Sequence, residues 1–520
     1  MSEMPGQPYS ATIKRPIDPG AKIWFLHVLL LVALALTVIV WGVTLIAGVK
    51  GHELEQFITA AGFFGVACAF FVVSRVSGGF QGLFEIPVFM TVMAFVMFGA
   101  APMSSFLDPD ALSTNLHGDT SLFLPALEIL VVGMVAFWVG SITARSRKQV
   151  PAVVDRASLP GSAAQTLTLA LGACLYLAGL VAKVYMLRAG MFAYLSSMNI
   201  YNARLAEVQV WNVIYIFGLY ALILFGVEAY YHPADKVRAV LFWTVLSSEC
   251  FWGLISGMKR ELLNDLLAVA LVSSIAGRKL RMRWLAPAIL GLIAVYPLIN
   301  RYRSIVRTRA TDATTSVNAA TEAMAQAASL SARGERSAGG WAASGWAESV
   351  SRVNMTQDVA LLLAYQDRAY LLEGDARLWM IPYYPFVPRF LWLDKPIQDV
   401  GVRFTRLLGG GGDTCTSPTI PGDLYVLHGG IAGVLAGMFL VGLVAQWLTN
   451  PVKLCPSKRN LFIYACMFFA VANWENDAFA YATGTIRTFV IVQVLAWTIY
   501  GPARGPSRVG MFIDRAVHRR

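Results

Sequence analysis

The chain has 520 residues, of which 57% are hydrophobic and 14% charged, and its formal net charge is +11 at pH 7. A soluble domain is typically about 45–50% apolar and about 25% charged, so this composition excludes an ordinary soluble protein. The excess of basic residues lies mainly in short segments between apolar runs, where lysine and arginine set membrane topology, and we expect no nucleic-acid partner.

Apolar runs of about 20 residues recur along the chain, and each is long enough to span a bilayer. They predict an all-α, polytopic membrane protein with about twelve transmembrane helices, at residues 23–49, 57–74, 84–103, 121–144, 164–188, 209–231, 238–256, 262–277, 284–300, 426–448, 460–480 and 485–501. The predicted regions are a cytoplasmic N-terminal tail (1–22), helices one to nine (23–300), a large periplasmic loop (301–425), helices ten to twelve (426–501) and a cytoplasmic basic tail (502–520).

The basic residues predict which ends of these helices are cytoplasmic. With a cytoplasmic N-terminus, most short inside segments are basic, for example "RKLRMR" at 278–283. The outside loop 104–120 carries three aspartates and no lysine or arginine. This positive-inside pattern predicts a multi-pass protein with both termini in the cytoplasm.

Several cations break this rule because they fall on the predicted outer side: Lys183, Arg188, Lys259, Arg260, Arg301, Arg303, Arg307 and Arg309. They could extend to lipid headgroups or pair with loop carboxylates. Guanidinium groups also bind phosphate oxygens bidentately and stay charged in partly dry sites. A cluster at the outer membrane border therefore suggests an anionic ligand tethered to the membrane, such as a lipid-linked pyrophosphate.

The predicted large loop has two parts of different composition. Residues 310–350 are rich in alanine, serine and glycine, which favours a helix that acts either as a lid or as a variable insert. Residues 371–433 interleave aromatics, prolines and cations, as in a sugar-binding surface or an ordinary membrane-border segment. The four glycines at 409–412 are not followed by the Lys-Ser/Thr of a phosphate loop and indicate a connector.

The order of several motifs resembles the Wzy-type O-antigen and oligosaccharide repeat-unit polymerases. The motifs are "SGMKRELL" before a helix, Tyr302-Arg303 after the next one, "VPRFLWLDKP" in the large loop and "PGDLYVLHGGIAG" leading into a helix. The resemblance covers roughly residues 250–445.

The resemblance to these polymerases implies a GT-C-like, multi-spanning glycosyltransferase of the bacterial inner membrane with a periplasmic active site. Such an enzyme transfers a growing exopolysaccharide chain from undecaprenyl pyrophosphate to a lipid-linked repeat unit. A chain-length regulator would be a further partner.

Three positions depart from the family pattern. The usual Ser-x-Arg is Met258-Lys259-Arg260 here, an aspartate (Asp423) replaces the usual glutamate, and His428 stands where asparagine is usual. A histidine at this position resembles the pattern of the related O-antigen ligases, so a ligase-like glycan transferase remains an alternative. A lipid-linked oligosaccharide flippase is the alternative from another class, although we find no paired halves of the kind many transporters show.

No metal-binding motif is present in the sequence, so we expect a metal-independent reaction without a cofactor, in which cations stabilise the leaving pyrophosphate. The predicted phosphate ligands are Lys259, Arg260, Arg303 and Arg389, followed by Arg301, Arg307 and Lys395. The candidates for the general base are Asp423 and His428, whose alternative interpretations are a turn aspartate and an ordinary interfacial histidine.

Acidic residues near or within the predicted helices need an explanation, because charge inside a membrane is usually functional. Glu475 and Asp477 are predicted near the outer end of helix 460–480, where they could pair with Arg487. Glu249 could orient the site, and Glu228 has no evident partner in the sequence.

Overall fold

The computed structural model describes residues 52–76, 80–103, 121–145, 162–196, 204–275, 298–306, 316–332, 353–372, 378–389, 391–397, 400–408, 417–454 and 457–501. Within these ranges the chain is helical, and no β-strand is present. The predicted all-α class is therefore confirmed for this part of the chain.

The first eight α-helices precede the predicted large loop. They are α1 (His52–Arg75), α2 (Ile86–Ala94, continued by a π-helical segment Phe95–Ala100), α3 (Phe123–Thr143), α4 (Ser162–Arg188), α5 (Leu205–Tyr215), α6 (Phe217–Tyr231), α7 (Lys236–Ser256) and α8 (Lys259–Ile275). A further short helical stretch covers residues 298–306.

The remaining helices are α9 (Val317–Ala332), α10 (Met355–Ala364), α11 (Val400–Leu407), α12 (Ile420–Leu427), α13 (Gly430–Leu454), α14 (Lys458–Val471) and α15 (Ala478–Tyr500). The region predicted as a large loop thus contains four of these helices. The helix predicted in its alanine-rich part is present as α9, whereas the four glycines at 409–412 lie outside the described residues.

Eight helices in the described ranges are long and apolar enough to cross a membrane. They are Gln56–Arg75, Ile86–Met103, Phe123–Thr143, Thr166–Arg188, Glu207–Tyr231, Lys236–Ser256, Gly430–Leu454 and Ala478–Tyr500. A polytopic membrane protein is thereby supported. The predicted span 23–49 and all but the last three residues of 284–300 lie outside the described residues, and the predicted 262–277 corresponds to α8, which has 17 residues and is not among these eight spans.

Three predicted boundaries near the C-terminus were wrong. The helix expected at 426–448 is divided into α12 and α13, because the chain turns at Gly429 and Gly430, both with positive φ. The helix expected at 460–480 ends at Val471, and the next one begins at Ala478 rather than at 485. The reason is Asp477, which caps the N-terminus of α15 and therefore cannot lie within the preceding helix.

Helices α3 and α13 form the closest described helix pair, and glycine makes their approach possible. A Cβ atom on Gly140 would lie 2.0 Å from the carbonyl oxygen of Phe439, and one on Gly442 would lie 2.0 Å from that of Phe137. Small residues permit such backbone contacts between membrane helices, where packing rather than exclusion of water drives association.

Charged side chains of the predicted cytoplasmic segments meet at one end of the bundle, which we call the Arg75 end. At the end of α1, Arg75 donates to Gln446 Oε1 of α13 (2.7 Å) and to Ser141 Oγ of α3 (3.2 Å). Nearby, Lys458 at the start of α14 contacts both oxygens of Glu228 on α6 at 2.9 Å. The helices α1, α3, α6 and α13 therefore end where α14 begins.

The opposite end, which we call the Asp423 end, contains α12, the start of α15 and the end of α14. Asp423 on α12 accepts a hydrogen bond from the backbone N–H of Ala478, the first residue of α15, at 2.9 Å. On the same side, Thr356 of α10 donates to the carbonyl oxygen of Phe98 at 2.9 Å. Helix α10 and α12, both from the predicted loop region, thus cap the bundle at this end.

Candidate active site

The short helix α12 places Asp423 inside the protein. The side chain of Thr419 caps α12 by accepting from the backbone N–H of Gly422, and Pro421 occupies its first turn, where the missing N–H of proline costs nothing. A Cβ atom on Gly422 would lie 3.2 Å from Thr419 Oγ1 and from Val359. The sequence Pro-Gly-Asp therefore fits this turn tightly and fixes Asp423 in a buried position.

The carboxylate of Asp423 has one satisfied and one unsatisfied oxygen. Oδ2 accepts from the backbone N–H of Ala478 at 2.9 Å and lies 3.3 Å from His428 Nε2. Oδ1 is buried and has no hydrogen-bond partner within the described part of the chain. A buried acceptor without a partner is costly, so this oxygen indicates a position where a ligand or a water molecule would be stabilised.

His428 follows α12 directly and is held by the glycines after it. Gly429 and Gly430 adopt φ values of 99° and 65°, which a residue with a side chain adopts only with strain. A Cβ atom on Gly433 would lie 2.1 Å from the carbonyl oxygen of His428. The side chain of His428 is 21% exposed, against 1% for Asp423, so the imidazole connects the buried carboxylate with the surface.

A second carboxylate, Asp477, lies beside this pair. Its side chain accepts from the backbone N–H of Ala480 at 2.6 Å and caps α15. Burial, followed by the nearby charge of Asp423, raises the pKa of Asp477 to about 6. Two carboxylates therefore share the N-terminus of α15, where the helix dipole favours negative charge.

A loop from the predicted 371–433 region packs on the same helix N-terminus. The ring of Tyr384 contacts that of Phe479 edge to face, with centroids 4.9 Å apart. Lys395 is buried, and its amine donates to the carbonyl oxygens of Tyr384 and Val387, both at 2.8 Å. Two of its three N–H groups therefore donate hydrogen bonds that stabilise the conformation of the loop.

The pKa of Lys395 is lowered to about 8 by burial and then by the charges of Arg389 and Arg487. Arg389 is partly exposed and donates to the carbonyl oxygen of Pro396 at 3.1 Å. Arg487 lies on α15, and its pairing with Glu475 or Asp477, which the sequence suggested, stays a prediction. Lys395 is therefore within electrostatic reach of two other cations, Arg389 and Arg487.

The remaining predicted phosphate ligands form a second group around the turn between α7 and α8. Lys259 and Arg260 begin α8, and Arg303 donates through Nε to the carbonyl oxygen of Gly257 at 2.7 Å. Tyr302 donates to the carbonyl oxygen of Ile255 at 2.8 Å and is fully buried. The helical stretch 298–306 is therefore fixed against the end of α7.

The structure thus divides the predicted site residues between two places. Asp423, His428, Arg389 and Lys395 lie together near the start of α15. Lys259, Arg260, Arg301 and Arg303 belong to the α7–α8 turn and the 298–306 stretch, and Arg307 lies outside the described residues. The first group adjoins the large apolar core around α3, α12 and α13, and the second adjoins a separate apolar cluster around Trp252 and Tyr302.

Two buried ion pairs were missed by sequence reasoning. Lys183 on α4 contacts Glu249 on α7 at 2.5 Å, with both side chains almost completely buried. Glu228 pairs with Lys458 and lies 3.8 Å from Arg238 Nε. The partners of the first pair are 66 residues apart in sequence, so only the predicted depth of both residues in their helices could have suggested it.

No group of three or more histidine, cysteine, aspartate or glutamate side chains in the described ranges is arranged to hold a metal ion. The Asp423 end instead offers a carboxylate–imidazole pair that can accept a proton, and the loop packed on the same helix N-terminus carries the cations Arg389 and Lys395. This combination suits an anionic ligand that carries a hydroxyl group to be deprotonated.

The chain belongs to the family described as a domain of unknown function, DUF8712, whose sequence model matches residues 180–455, just over half of the chain. The match contains Asp423, His428, Arg389 and the α7–α8 turn, but it ends before Asp477 and Arg487. No curated protein and no solved structure matches the chain.

Proposed function

We propose that this chain is a metal-independent membrane glycosyltransferase that polymerises polysaccharide repeat units. The growing glycan leaves undecaprenyl pyrophosphate and is transferred to a lipid-linked repeat unit at the Asp423 end, on the periplasmic side of a bacterial inner membrane. The Arg75 end, which carries the basic residues of the short predicted loops, then faces the cytoplasm.

One observation carries this proposal: the buried Asp423–His428 pair lies at the N-terminus of α15, where the loop that carries Lys395 and Arg389 also packs. Groups of like charge are costly to hold together, and they occur preferentially at functional sites. A bound pyrophosphate would relieve the repulsion that Arg389 and Arg487 exert on Lys395. The carboxylate–imidazole pair beside them would serve the acceptor hydroxyl.

In the proposed reaction, His428 accepts the proton of the acceptor hydroxyl as the new glycosidic bond forms. Asp423, 3.3 Å away, orients the imidazole and stabilises its positive charge. The acceptor oxygen attacks the anomeric carbon of the donor glycan, and the bond between that carbon and the pyrophosphate oxygen breaks. The departing pyrophosphate retains the electron pair, and the nearby guanidinium groups stabilise its charge.

Two substrates of this reaction carry a lipid pyrophosphate, the donor and the acceptor, and the chain has two separate cationic groups. We assign the donor pyrophosphate to Arg389 and Arg487, the two cations whose charges act on Lys395. The acceptor pyrophosphate would bind the group formed by Lys259, Arg260 and Arg303 around the α7–α8 turn. This assignment supports two-substrate transfer better than simple lipid transport, which needs one lipid site.

The proposal is tested with purified protein in vesicles that contain an undecaprenyl-pyrophosphate-linked repeat unit, by measuring the length of the glycan products. We expect Arg389→Ala to abolish long products while single repeat units remain. Arg368→Ala is the matched control, because Arg368 is an exposed arginine of the same loop region. Equal product lengths from both variants would contradict the proposal, as would a wild-type protein that moves lipid-linked units across the membrane without joining them.

A ligase-like transfer is the second candidate, and His428 favours it, because the resemblance places a histidine in the related ligases. The two activities differ in the acceptor. Supplying a lipid A-type acceptor together with one donor distinguishes them, since a ligase transfers the glycan to that acceptor and a polymerase extends only lipid-linked repeat units.

A further inference from the structure

The loop that packs on the start of α15 exposes its apolar side chains. We call residues 378–389 and 391–397 the aromatic segment. In it Leu393 is 82% exposed, Leu391 71% and Trp379 67%, and Phe386 and Ile397 are also exposed. Single exposed apolar residues are common on protein surfaces, but a group within one short segment indicates an interaction surface.

Three polar side chains of the same segment, those of Tyr384, Arg389 and Lys395, bond to backbone carbonyl oxygens within it, whereas Asp394 is exposed. Lys395 is only 3% exposed, and its amine contacts two backbone carbonyl oxygens within the segment. The hydroxyl group of Tyr384 donates to the carbonyl oxygen of Pro396 at 2.6 Å, and Arg389 donates to the same oxygen. A loop surrounded by water shows the opposite arrangement, with lysine exposed and leucine covered.

The aromatic segment also continues the apolar surface of the membrane helices. Tyr384 contacts Phe479 in the first turn of α15, which is one of the candidate spans. Exposed side chains on the spans, such as Phe63 at 73%, have the same apolar character and similar exposure as Leu391 and Leu393. The segment therefore lies at the level where the α15 span ends, next to the surface that faces lipid.

We propose that the aromatic segment inserts into the boundary between headgroups and acyl chains of the bilayer, as a monotopic element at the Asp423 end. Lipid is the occupant that fits, because most of the exposed side chains of the segment are large and apolar, its cations bond within it, and it adjoins a span; the exposed Asp394 would face the headgroups. Tryptophan and other large apolar side chains are stabilised at this depth of a membrane. The inference concerns the position of the segment and does not depend on the proposed transferase activity.

Electron paramagnetic resonance with site-directed spin labels tests the position of the segment. The six cysteines of the chain are replaced, and single labels are placed by Leu393→Cys and Trp379→Cys in vesicles of phosphatidylethanolamine and phosphatidylglycerol. Collision rates are measured with oxygen, which concentrates in lipid, and with a water-soluble nickel chelate. Phe63→Cys on α1 is the lipid reference, and Asp367→Cys, an exposed position just before the segment, is the water reference.

We expect the ratio of oxygen to nickel collisions at Leu393→Cys and Trp379→Cys to exceed that at Asp367→Cys severalfold and to approach that at Phe63→Cys. Ratios equal to the Asp367→Cys value would overturn the inference, because the segment would then lie in water. Labels protected from both reagents would also overturn it, since another protein or a second copy of this chain would then cover the surface. Because the labelled positions are exposed, the labels are not expected to disturb the fold, and agreement between the two positions guards against a local artefact.

Discussion

The two ends of the helical bundle treat buried charge in opposite ways. At the Arg75 end, charges of opposite sign are paired: Lys458 contacts both oxygens of the buried Glu228, and the exposed Lys453 contacts the partly buried Glu85 at 2.5 Å. At the Asp423 end, charges of the same sign are neighbours: burial and then the charge of Asp423 raise the pKa of Asp477, and burial and then the charge of Arg389 lower the pKa of Lys395.

The difference indicates what each end is for. Opposite charges that satisfy each other stabilise the fold and leave nothing for a ligand. Like charges held together need a partner from outside the protein, and perturbed carboxylates and amines of this kind are typical of functional sites. We therefore expect substitutions at the Arg75 end to lower stability and substitutions at the Asp423 end to lower activity.

The largest expected effect is on activity. His428→Ala removes the proposed base, and general-base catalysis typically contributes about a hundredfold to ten-thousandfold to a rate. We expect polymer formation in vesicles to fall by that order, whereas the unfolding temperature of the purified protein stays close to that of the wild type. A variant with full polymerase activity would remove His428 from the mechanism.

The next largest effect is on stability. Glu228→Ala leaves Lys458 and Arg238 without their buried carboxylate, and the loss of one partner of a buried pair costs about 3–5 kcal/mol. Thermal unfolding in detergent measures this loss. Arg204→Ala, which breaks the exposed pair with Glu207, is the control and should cost at most about 1 kcal/mol. Equal losses in the two variants would show that the Glu228 pair is not a stabilising element.

A smaller effect concerns the pH dependence of stability at Lys395. The pKa of this lysine is about 8 in the fold, against an ordinary value of 10.5. Between these values the unfolded chain binds a proton that the folded protein lacks, so this group makes stability rise with pH across the window. A neutral amine still donates two hydrogen bonds, which suffice for the carbonyl oxygens of Tyr384 and Val387.

Lys395→Met should therefore lose stability relative to the wild type as the pH rises from about 8 toward 10.5. The unfolding temperatures of the wild type and the variant are measured at several pH values. Their difference at each pH cancels the contributions of the other titrating groups. Lys395→Arg retains its charge throughout and serves as the control. A difference that does not change with pH would contradict the lowered pKa.

The smallest expected effect is a gain in stability from Asp477→Asn. The pKa of Asp477 is about 6 in the fold, against an ordinary value of 3.8. The folded protein therefore binds a proton that the unfolded chain lacks between these values, and stability falls as the pH rises through the window. Asparagine caps helices as well as aspartate does and carries no charge beside Asp423.

We expect Asp477→Asn to unfold at a higher temperature than the wild type above pH 6 and to lose this advantage toward pH 4. The exposed Asp367→Asn variant should show no such dependence. A variant that is less stable than the wild type at pH 7 would indicate that the charge of Asp477 stabilises α15 more than Asp423 opposes it.

The membrane helices could be predicted from the sequence because apolar runs report the length of a span directly. The boundaries around the site could not. The helix predicted at 426–448 runs through the break after His428, which depends on close packing of Gly433 against a carbonyl oxygen. Likewise, Asp477 caps a helix through one hydrogen bond that hydropathy does not reveal.

The candidate site was predictable in its residue types but not in its grouping. The motifs in the sequence indicated Asp423, His428, Arg389 and Lys395, which the structure brings together. They did not indicate that Lys395 uses its amine within its own loop, or that Arg303 belongs with a different group near Gly257. Nor did they reveal the pairing of Lys183 with Glu249, because such contacts depend on how distant helices pack.

The most direct test of the account is an experimental density map of the protein with a bound undecaprenyl-pyrophosphate-linked sugar. We predict that the donor phosphates lie within hydrogen-bond distance of the guanidinium groups of Arg389 and Arg487, with a sugar hydroxyl facing His428. Phosphates bound only at the Arg75 end, or a ligand that leaves the Asp423–His428 pair without contact, would contradict the assignment of this end as the catalytic one.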